Sequence, residues 1–439
     1  MKRTSESQQN TDTGLTEIAY LSSQNRGQVF HSLLHHINAE SLRRCYDKLE
    51  GKKAVGIDGV SKADYGANLK ANIEDLMTRM KRMAYQPQAV RQVLIPKEGN
   101  PGATRPLGIS SFEDKHVQRR VQEILESIYE PLFMNWSYGF RPKRSCHDAI
   151  KSLHKHLITR EVEVVIDVDL ANFFGTIDHE ILKELLSCKI KDSKFMSYLG
   201  RMLRAGVLAE GELSISDEGV PQGSCCSPVL ANIVAHYVID EWLEETVKPL
   251  MKGAVEAFRY ADDLVICCRY EADAARIKKV LGQRLEKYKL KLNEDKTKIV
   301  QFSKRRERCG IKQDAFDFLG FTFYLGRSLK GRVIPKLKTC GKRYRSKLKR
   351  VKEWASKIRN RAALPLIWKT FTAKLRGHVQ YYGVSFNVNA VKCFVGEATK
   401  ILFKWLNRRS QRKSFDWSRF ALFKKKNPLP QAKVHHKLF

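Results

Sequence analysis

The sequence lacks the spacings and runs that define several common protein classes. Its 10 cysteines are scattered, with no Cys-x-x-Cys pair and no His/Cys spacing of the zinc-binding kind, which excludes a zinc finger or ribbon and leaves reduced thiols. No run approaches the roughly 18 consecutive apolar residues of a membrane span. Met1 to Thr13 is polar, without the apolar stretch of a secretory leader. A soluble, cytoplasmic chain without a membrane partner is expected, and Lys2 and Arg3 in a Ser/Thr-rich start keep organellar import as the alternative. Acids are scarce in one region only: from Arg327 to Phe439, Glu353, Glu397 and Asp416 stand against 31 Lys and Arg, so +28 of the formal net charge of +33 lies there. A polyanionic partner is the first expectation from such a charge. What is present in quantity is apolar material: 43% of 439 residues is hydrophobic, enough for two or three folded modules.

Residues 1 to 25 read as a loose tail. An amphipathic helical stretch follows from Val29 to Leu49, then a glycine-punctuated turn at Gly56-Ile57-Asp58-Gly59-Val60 and a second helical run from Leu69 to Met83. Val90 to Lys97 alternates like a strand, and after a Gly- and Pro-rich loop Arg105 to Ile109 returns, so that one hairpin carries Lys97 and Arg105. Two cations so placed suit a triphosphate. A helix is expected over Asp114 to Tyr129, and a β-branched strand over Val162 to Leu170 with Asp167 and Asp169 on one face. Further helices are expected from His179, from Pro228 to Leu243 and from Ala272, and an aromatic strand over Phe316 to Phe321. Mixed α and β elements thus fill residues 30 to 326, and the remainder reads as helical, giving an α+β class.

Arg259-Tyr260-Ala261-Asp262-Asp263-Leu264-Val265 places two adjacent carboxylates between two apolar runs, the pattern of a β-hairpin with acids at or beside its tip. An isolated Asp-Asp pair is most simply a surface turn. In a buried hairpin the two charges need compensating cations. Two Mg²⁺ ions about 3.5 to 4 Å apart, with Mn²⁺ as the alternative, would supply them and would activate a 3′-hydroxyl for nucleotidyl transfer.

The chain resembles the reverse transcriptases encoded by group II introns. The resemblance rests on Gly56 to Val60, Ile95-Pro96-Lys97, Arg105 to Ile109, Tyr138-Gly139-Phe140-Arg141-Pro142, Asp169-Leu170-Ala171-Asn172-Phe173-Phe174, Pro221-Gln222-Gly223-Ser224, Tyr260 to Asp263, Leu292 to Thr297 and Phe318-Leu319-Gly320-Phe321. These follow the family's order from about residue 30 to 325. Gly377 to Tyr382 and Leu406 to Lys413 are similar to that family's thumb and maturase region. The resemblance implies a right-hand polymerase, with fingers and an antiparallel-sheet palm over 26–326 and a basic helical thumb and maturase region over 327–439. The His/Asn/Cys cluster of the nuclease kind that some relatives append is not found, so no such endonuclease domain is expected.

By the same resemblance Asp169, Asp262 and Asp263 ligate the metals, and Lys97, Arg105, Phe174 and Gln222 bind the incoming dNTP. Phe174 would stand against a 2′-hydroxyl, Lys296 would act as general acid toward pyrophosphate, and Leu319 and Gly320 would hold the primer. Asp167 shares a face with Asp169 and is the weaker claimant. Phe173 reads as a core aromatic, and Tyr138 to Arg141 as a structural or template-contacting turn. Gly175 stands where the family often has an aspartate, and Ser224-Cys225-Cys226-Ser227 replaces a turn usually built with glycine and proline. The implied partners are group II intron RNA, an RNA template with its DNA primer, dNTPs and target DNA. Aromatics among the C-terminal cations, Trp354, Trp368, Tyr381, Tyr382 and Trp405, either stack on bases or pack the helices. Two other functions fit the motifs: a maturase confined to splicing, and a domesticated relative serving phage defence or spacer acquisition.

Overall fold

The computed structural model describes residues 12–96, 104–209, 212–220, 223–409 and 415–439. The chain opens with helices α1 (Thr13–Gln24), α2 (Ala39–Lys48), α3 (Lys62–Ala67) and α4 (Leu69–Lys81), followed by the antiparallel pair β1 (Val90–Pro96) and β2 (Thr104–Ile109). Next come α5 (Phe112–Tyr129), α6 (Cys146–Thr159), β3 (Val164–Asp169), α7 (His179–Ser187), α8 (Ser193–Leu203), β4 (Val207–Ala209) and β5 (Glu212–Ser214). Helix α9 (Ser227–Ala235) leads to the hairpin β6 (Val255–Tyr260) and β7 (Asp263–Cys268), then α10 (Glu271–Lys287), β8 (Lys298–Gln301) and α11 (Lys304–Arg308). Strands β9 (Phe316–Phe318), β10 (Phe321–Arg327) and β11 (Val333–Thr339) precede helices α12 (Gly341–Ile358), α13 (Leu364–Tyr382), α14 (Val388–Leu406) and α15 (Trp417–Lys426).

Three sheets result, in the orders β2-β1-β4-β5, β6-β7-β3-β8 and β11-β10-β9. The second is antiparallel throughout, and its β-branched runs are buried on both faces. One face meets α9 and α10 through Ile166, Leu264, Ile266 and Ile277. The other meets β9, β10 and α13 through Val165, Val265, Phe316, Phe321 and Val379. A third cluster binds the C-terminal helices through Trp368, Phe371, Phe394, Leu402 and Phe420. The end of the chain returns to this framework: His436 pairs with Val384, its ring stacks on His147 of α6 at 3.5 Å, and Leu438 is buried. Among the described residues no helix is long and apolar enough to cross a membrane, and all ten cysteines are unpaired.

Several sequence expectations need correction. The tail expected over residues 1 to 25 is a helix from Thr13, because Asp12 caps it, accepting from the Leu15 amide, while Leu15 and Ile18 pack into the core. Asp12 also pairs with Arg44 and the buried Arg120, each at 2.7 Å. The helix expected over Val29 to Leu49 is broken: Phe30 pairs with Ile190, and Asn38 and Ser41 form a capping box that starts α2 afresh. The Pro228 to Leu243 helix widens into π-helical turns at His236–Asp240 and Leu243–Val247. The aromatic run at Phe316 is a hairpin rather than one strand, and β structure continues to Thr339, so the helical region starts at Gly341 rather than Arg327.

Candidate active site: a carboxylate cleft

The Tyr260–Asp263 segment closes the β6–β7 hairpin with a two-residue turn. Tyr260 and Asp263 are register partners, and Ala261 adopts a left-handed φ of 58°. Strand β3 runs beside β7 with Asp169 directly opposite Asp263. Like charges facing each other across a strand pair destabilise it, so the arrangement has to be justified by something it binds. Asp169 and Asp262 line a cleft of about 480 Å³ together with Arg105, Phe140, Phe174 and Lys296.

The electrostatics record the excess of negative charge. Asp263 is open to solvent along one side and packed by protein on the rest. That desolvation, then Asp262 and Asp169, pushes its carboxyl up to about 6 against the pull of Arg343. Asp167 is pushed up to about 7, chiefly by burial and then by Asp263, Asp317 and Asp169. Asp169 has one cation at hand, the Lys296 ammonium 3.1 Å from its Oδ2, and both groups are solvent-exposed.

Among the described residues no three His, Cys, Asp or Glu side chains converge as a closed metal cage. The donor set nevertheless fits hard divalent cations. It is all carboxylate oxygen, it opens on a cleft, and its charges raise one another's proton affinity. Asp169, Asp262 and Asp263 are the groups that would hold such ions.

Around the acids, local conformation is set by a few residues. Asn172 takes a left-handed φ of 48° just past β3 and swings the chain so that Phe174 lines the cleft, edge-on to Phe140 at 6.3 Å and to Phe173 at 5.7 Å. Phe173 itself is buried, as expected. Gly175 has a physical reason: a β-carbon there would lie 2.5 Å from the Asn172 amide nitrogen. Gly223, at φ 115°, passes so close to β2 that a β-carbon would sit 2.3 Å from the Gly108 carbonyl. Arg105 stands exposed on β2 at the rim. Lys97 and Gln222 lie outside the described residues.

Leu319 and Gly320 form the β9–β10 turn, with left-handed φ values of 49° and 80°. The Tyr381 hydroxyl donates to the Leu319 carbonyl at 2.9 Å, and the Cys340 amide to that of Gly320 at 3.0 Å. This turn is therefore tied to α13, and it does not line the carboxylate cleft.

Tyr138 to Arg141 bears more closely on the acids than its sequence reading indicated. Residues 136–138 run beside β6, and a β-carbon on Gly139 would come within 2.2 Å of the Ala261 amide nitrogen. Phe140, 49% exposed and left-handed at φ 56°, reaches the cleft. The signal was the glycine between two aromatics, which marks a close backbone approach.

A cleft that brings Asp169 beside the Asp262 turn suits divalent-cation chemistry on nucleotides, and comparison with known proteins gives the family. Residues 95–323 match the reverse transcriptase (RNA-dependent DNA polymerase) family. The chain belongs to that family. It is 33% identical over 316 residues to Protein YkfC of Escherichia coli strain K12, covering 65% of this chain and 79% of that one. It is also 35% identical over 223 residues to the group II intron-encoded protein LtrA of Lactococcus lactis subsp. cremoris, covering 51% of this chain and 37% of LtrA. A protein in the cob intron of Schizosaccharomyces pombe is 33% identical over 251 residues, or 56% of this chain and 30% of its own length. The chain thus spans little more than a third of the LtrA sequence it matches, and two of these three relatives are named for introns.

Proposed function

We propose that this chain is an RNA-directed DNA polymerase of the group II intron type, whose basic C-terminal helices bind structured RNA and assist intron splicing. The observation that carries the catalytic part is the register of Asp169 against Asp263, with Asp262 at the adjacent turn and Arg105 and Phe174 in the same cleft. In this reading β1, β2, β4 and β5 with the N-terminal helices are fingers, the β6-β7-β3-β8 sheet is the palm, and α12 to α14 form the thumb.

Two bound Mg²⁺ ions would supply charge neutralisation and a nucleophilic 3′-oxygen at neutral pH. The chain's own residues supply the rest. Asp169, Asp262 and Asp263 bind as carboxylates, and at Asp263, raised to about 6, protons compete with the cation only in mildly acidic solution. Arg105 and Lys97 grip phosphate oxygens, charge-assisted hydrogen bonds that fix the triphosphate. The Phe174 ring fills the space beside the sugar and excludes a 2′-hydroxyl, which selects dNTPs. Lys296, bound to Asp169 before substrate arrives, is the group that can deliver a proton to pyrophosphate. Leu319 and Gly320 support the primer from the β9–β10 turn, and the family resemblance assigns Gln222 to dNTP binding.

The RNA partner is supported by a groove of about 840 Å³ between α14, α15 and the chain's last segment. Among the described residues Lys392, Lys400, Lys424 and Lys425 line it and no acid does, and Trp417 stands 55% exposed at its wall, stacked on Phe403 at 3.8 Å. Lys400 also pairs with the neighbouring Glu397. Cations beside an exposed indole suit phosphates with unpaired bases. Trp368 and Tyr382, by contrast, are buried and pack helices. Intron RNA is the expected occupant, with a template–primer hybrid in the cleft and target DNA as the integration substrate.

The deciding experiment measures dNTP incorporation on an RNA template with Mg²⁺ for the wild type and for Asp262→Asn/Asp263→Asn, beside splicing of a cognate intron RNA. Incorporation should fall by about a thousandfold or more in the double variant, with splicing retained. cDNA synthesis at the wild-type rate would refute the metal site.

A further inference from the structure

Arg259 lies two residues before the Asp262 turn, on β6, and is fully buried. Its guanidinium has five N–H donors, and every one is used. Nε donates to Asp240 Oδ1 at 2.7 Å, and Nη1 to Asn232 Oδ1 at 3.1 Å and to the Ala261 carbonyl at 2.9 Å. Nη2 donates to Ser137 Oγ at 2.8 Å and to Asp240 Oδ2. Asp240 is also fully buried, at the end of the π-helical turn His236–Asp240. Asn232 of α9 passes the connection on, donating to the Gly139 carbonyl at 2.7 Å. The backbone joins in: Tyr138 N donates to the Arg259 carbonyl at 2.8 Å, and Arg259 N to that of Trp136 at 2.9 Å.

A buried ion pair is by itself weak evidence of a stabilising role, because apolar side chains of similar volume often serve as well. This one does something packing does not require. The fork reaches past its counter-ion to the carbonyl of Ala261, the non-glycine residue held left-handed at the turn. Such a conformation persists only where its surroundings over-determine it. Here the Ala261 carbonyl is fixed from one side by Arg259, and its amide is crowded from the other by Gly139. The next residue is Asp262, the acid that lines the cleft.

We propose that Arg259, clamped by Asp240, is a positioning residue: by holding the Ala261 carbonyl it sets the pitch of the turn and so aims the Asp262 and Asp263 carboxylates as a divalent-cation site. The inference rests on the polymerase reading of that site. The π-helical turn fits the role, since such insertions rotate one side chain relative to a regular helix and cluster at functional sites. Lysine could keep the charge of Arg259, but a single ammonium cannot span Asp240, Ser137, Asn232 and the turn carbonyl at once.

The test uses the full chain with a dideoxy-terminated primer on an RNA template. Mn²⁺ binding is read from the free-ion EPR signal, and Mg²⁺-dependent dNTP incorporation is followed in parallel with an extendable primer. For Arg259→Lys we expect Mn²⁺ binding about tenfold weaker, a matching rise in the Mg²⁺ needed for half-maximal rate and a fall of about a hundredfold in kcat. KM for dNTP should stay within about twofold of wild type, because the phosphate and sugar contacts are untouched. Ser137→Ala, which removes one acceptor and leaves the ion pair, should move Mn²⁺ affinity in the same direction by about threefold. Wild-type Mn²⁺ affinity and Mg²⁺ dependence in Arg259→Lys would overturn the proposal. If Arg259→Lys does not fold, wild-type Mn²⁺ binding by Ser137→Ala overturns it instead. Should the wild type make no DNA at all, the polymerase reading fails while the Mn²⁺ arm still reports on Arg259.

Discussion

The carboxylate cleft and the C-terminal groove treat charge in opposite ways. In the cleft region, clustered charges are held in fixed geometry: Asp169 faces Asp263 and meets Lys296, and Arg259 spends all its donors inside the protein. In the groove, lysines from two helices, α14 and α15, share one concave surface with no acid among its described lining residues, while the aromatics behind them do the packing. The first region needs geometry, since a carboxylate displaced by an ångström no longer ligates. The second needs concentration of charge, since phosphates bind wherever counterions can be released. The lesson is that clustered acids suit cation chemistry and clustered cations suit a polyanion.

This contrast can be broken from the catalytic side first. Gly139→Ala puts a β-carbon against the Ala261 backbone, which cannot yield as a flexible side chain would. Incorporation should drop by about a hundredfold, while RNA binding measured by filter retention should hold at its wild-type value. Equal loss of both would mean that the two regions are not separable.

The opposite insult is Lys400→Glu/Lys424→Glu/Lys425→Glu. Affinity for structured RNA at moderate salt should fall by some tens of times, and the slope of log affinity against log salt should flatten by about two to three. Primer extension on a pre-annealed hybrid at low salt should persist, and its loss would place those lysines in the polymerase reaction itself. A smaller effect is expected for Phe174→Ala, which empties the space beside the sugar. Discrimination between dGTP and GTP should fall by about tenfold, and unchanged selectivity would remove the assigned role.

The smallest expected effect concerns pH. Asp263 is raised to about 6 in the folded chain, so protons compete with cations for it as pH falls through that value. Mn²⁺ affinity should weaken about twofold at pH 6 relative to pH 8, and further below. RNA binding in the groove, which depends on lysines, should be flat over the same range.

Much of the candidate site was legible because its motifs are local. A β-branched run ending at Asp169 and an Asp-Asp hairpin declare strands by their own periodicity, and the register that brings Asp169 opposite Asp263 follows from burying both runs. What sequence missed depends on distant partners. Asp240 and Arg259 belong to different elements, and an aspartate midway along an apolar helix gave no sign that a π-helical turn would deliver it to a guanidinium. Gly139 read as an ordinary turn glycine because its neighbour Ala261 is remote in sequence. Helix α1 was missed because its polar face dominates a twelve-residue stretch, leaving Leu15 and Ile18 as its principal core contacts. The boundary at Arg327 was set by charge, whereas strands β10 and β11 continue through it because they complete a sheet that packs behind the β6-β7-β3-β8 sheet.

That sheet has a further consequence. Val265 and Cys267 of the β6–β7 hairpin, Phe321 and Phe323 of β10, Val379 and Tyr382 of α13, and Leu438 near the chain's end share one apolar core. Residues that share a core lose their packing together, so polymerase centre and basic helices are expected to melt as one cooperative unit. An RNA held by the C-terminal helices would then act as a thermal brace for the catalytic strands: its binding free energy, gained only by the folded chain, is subtracted from any opening that exposes either part.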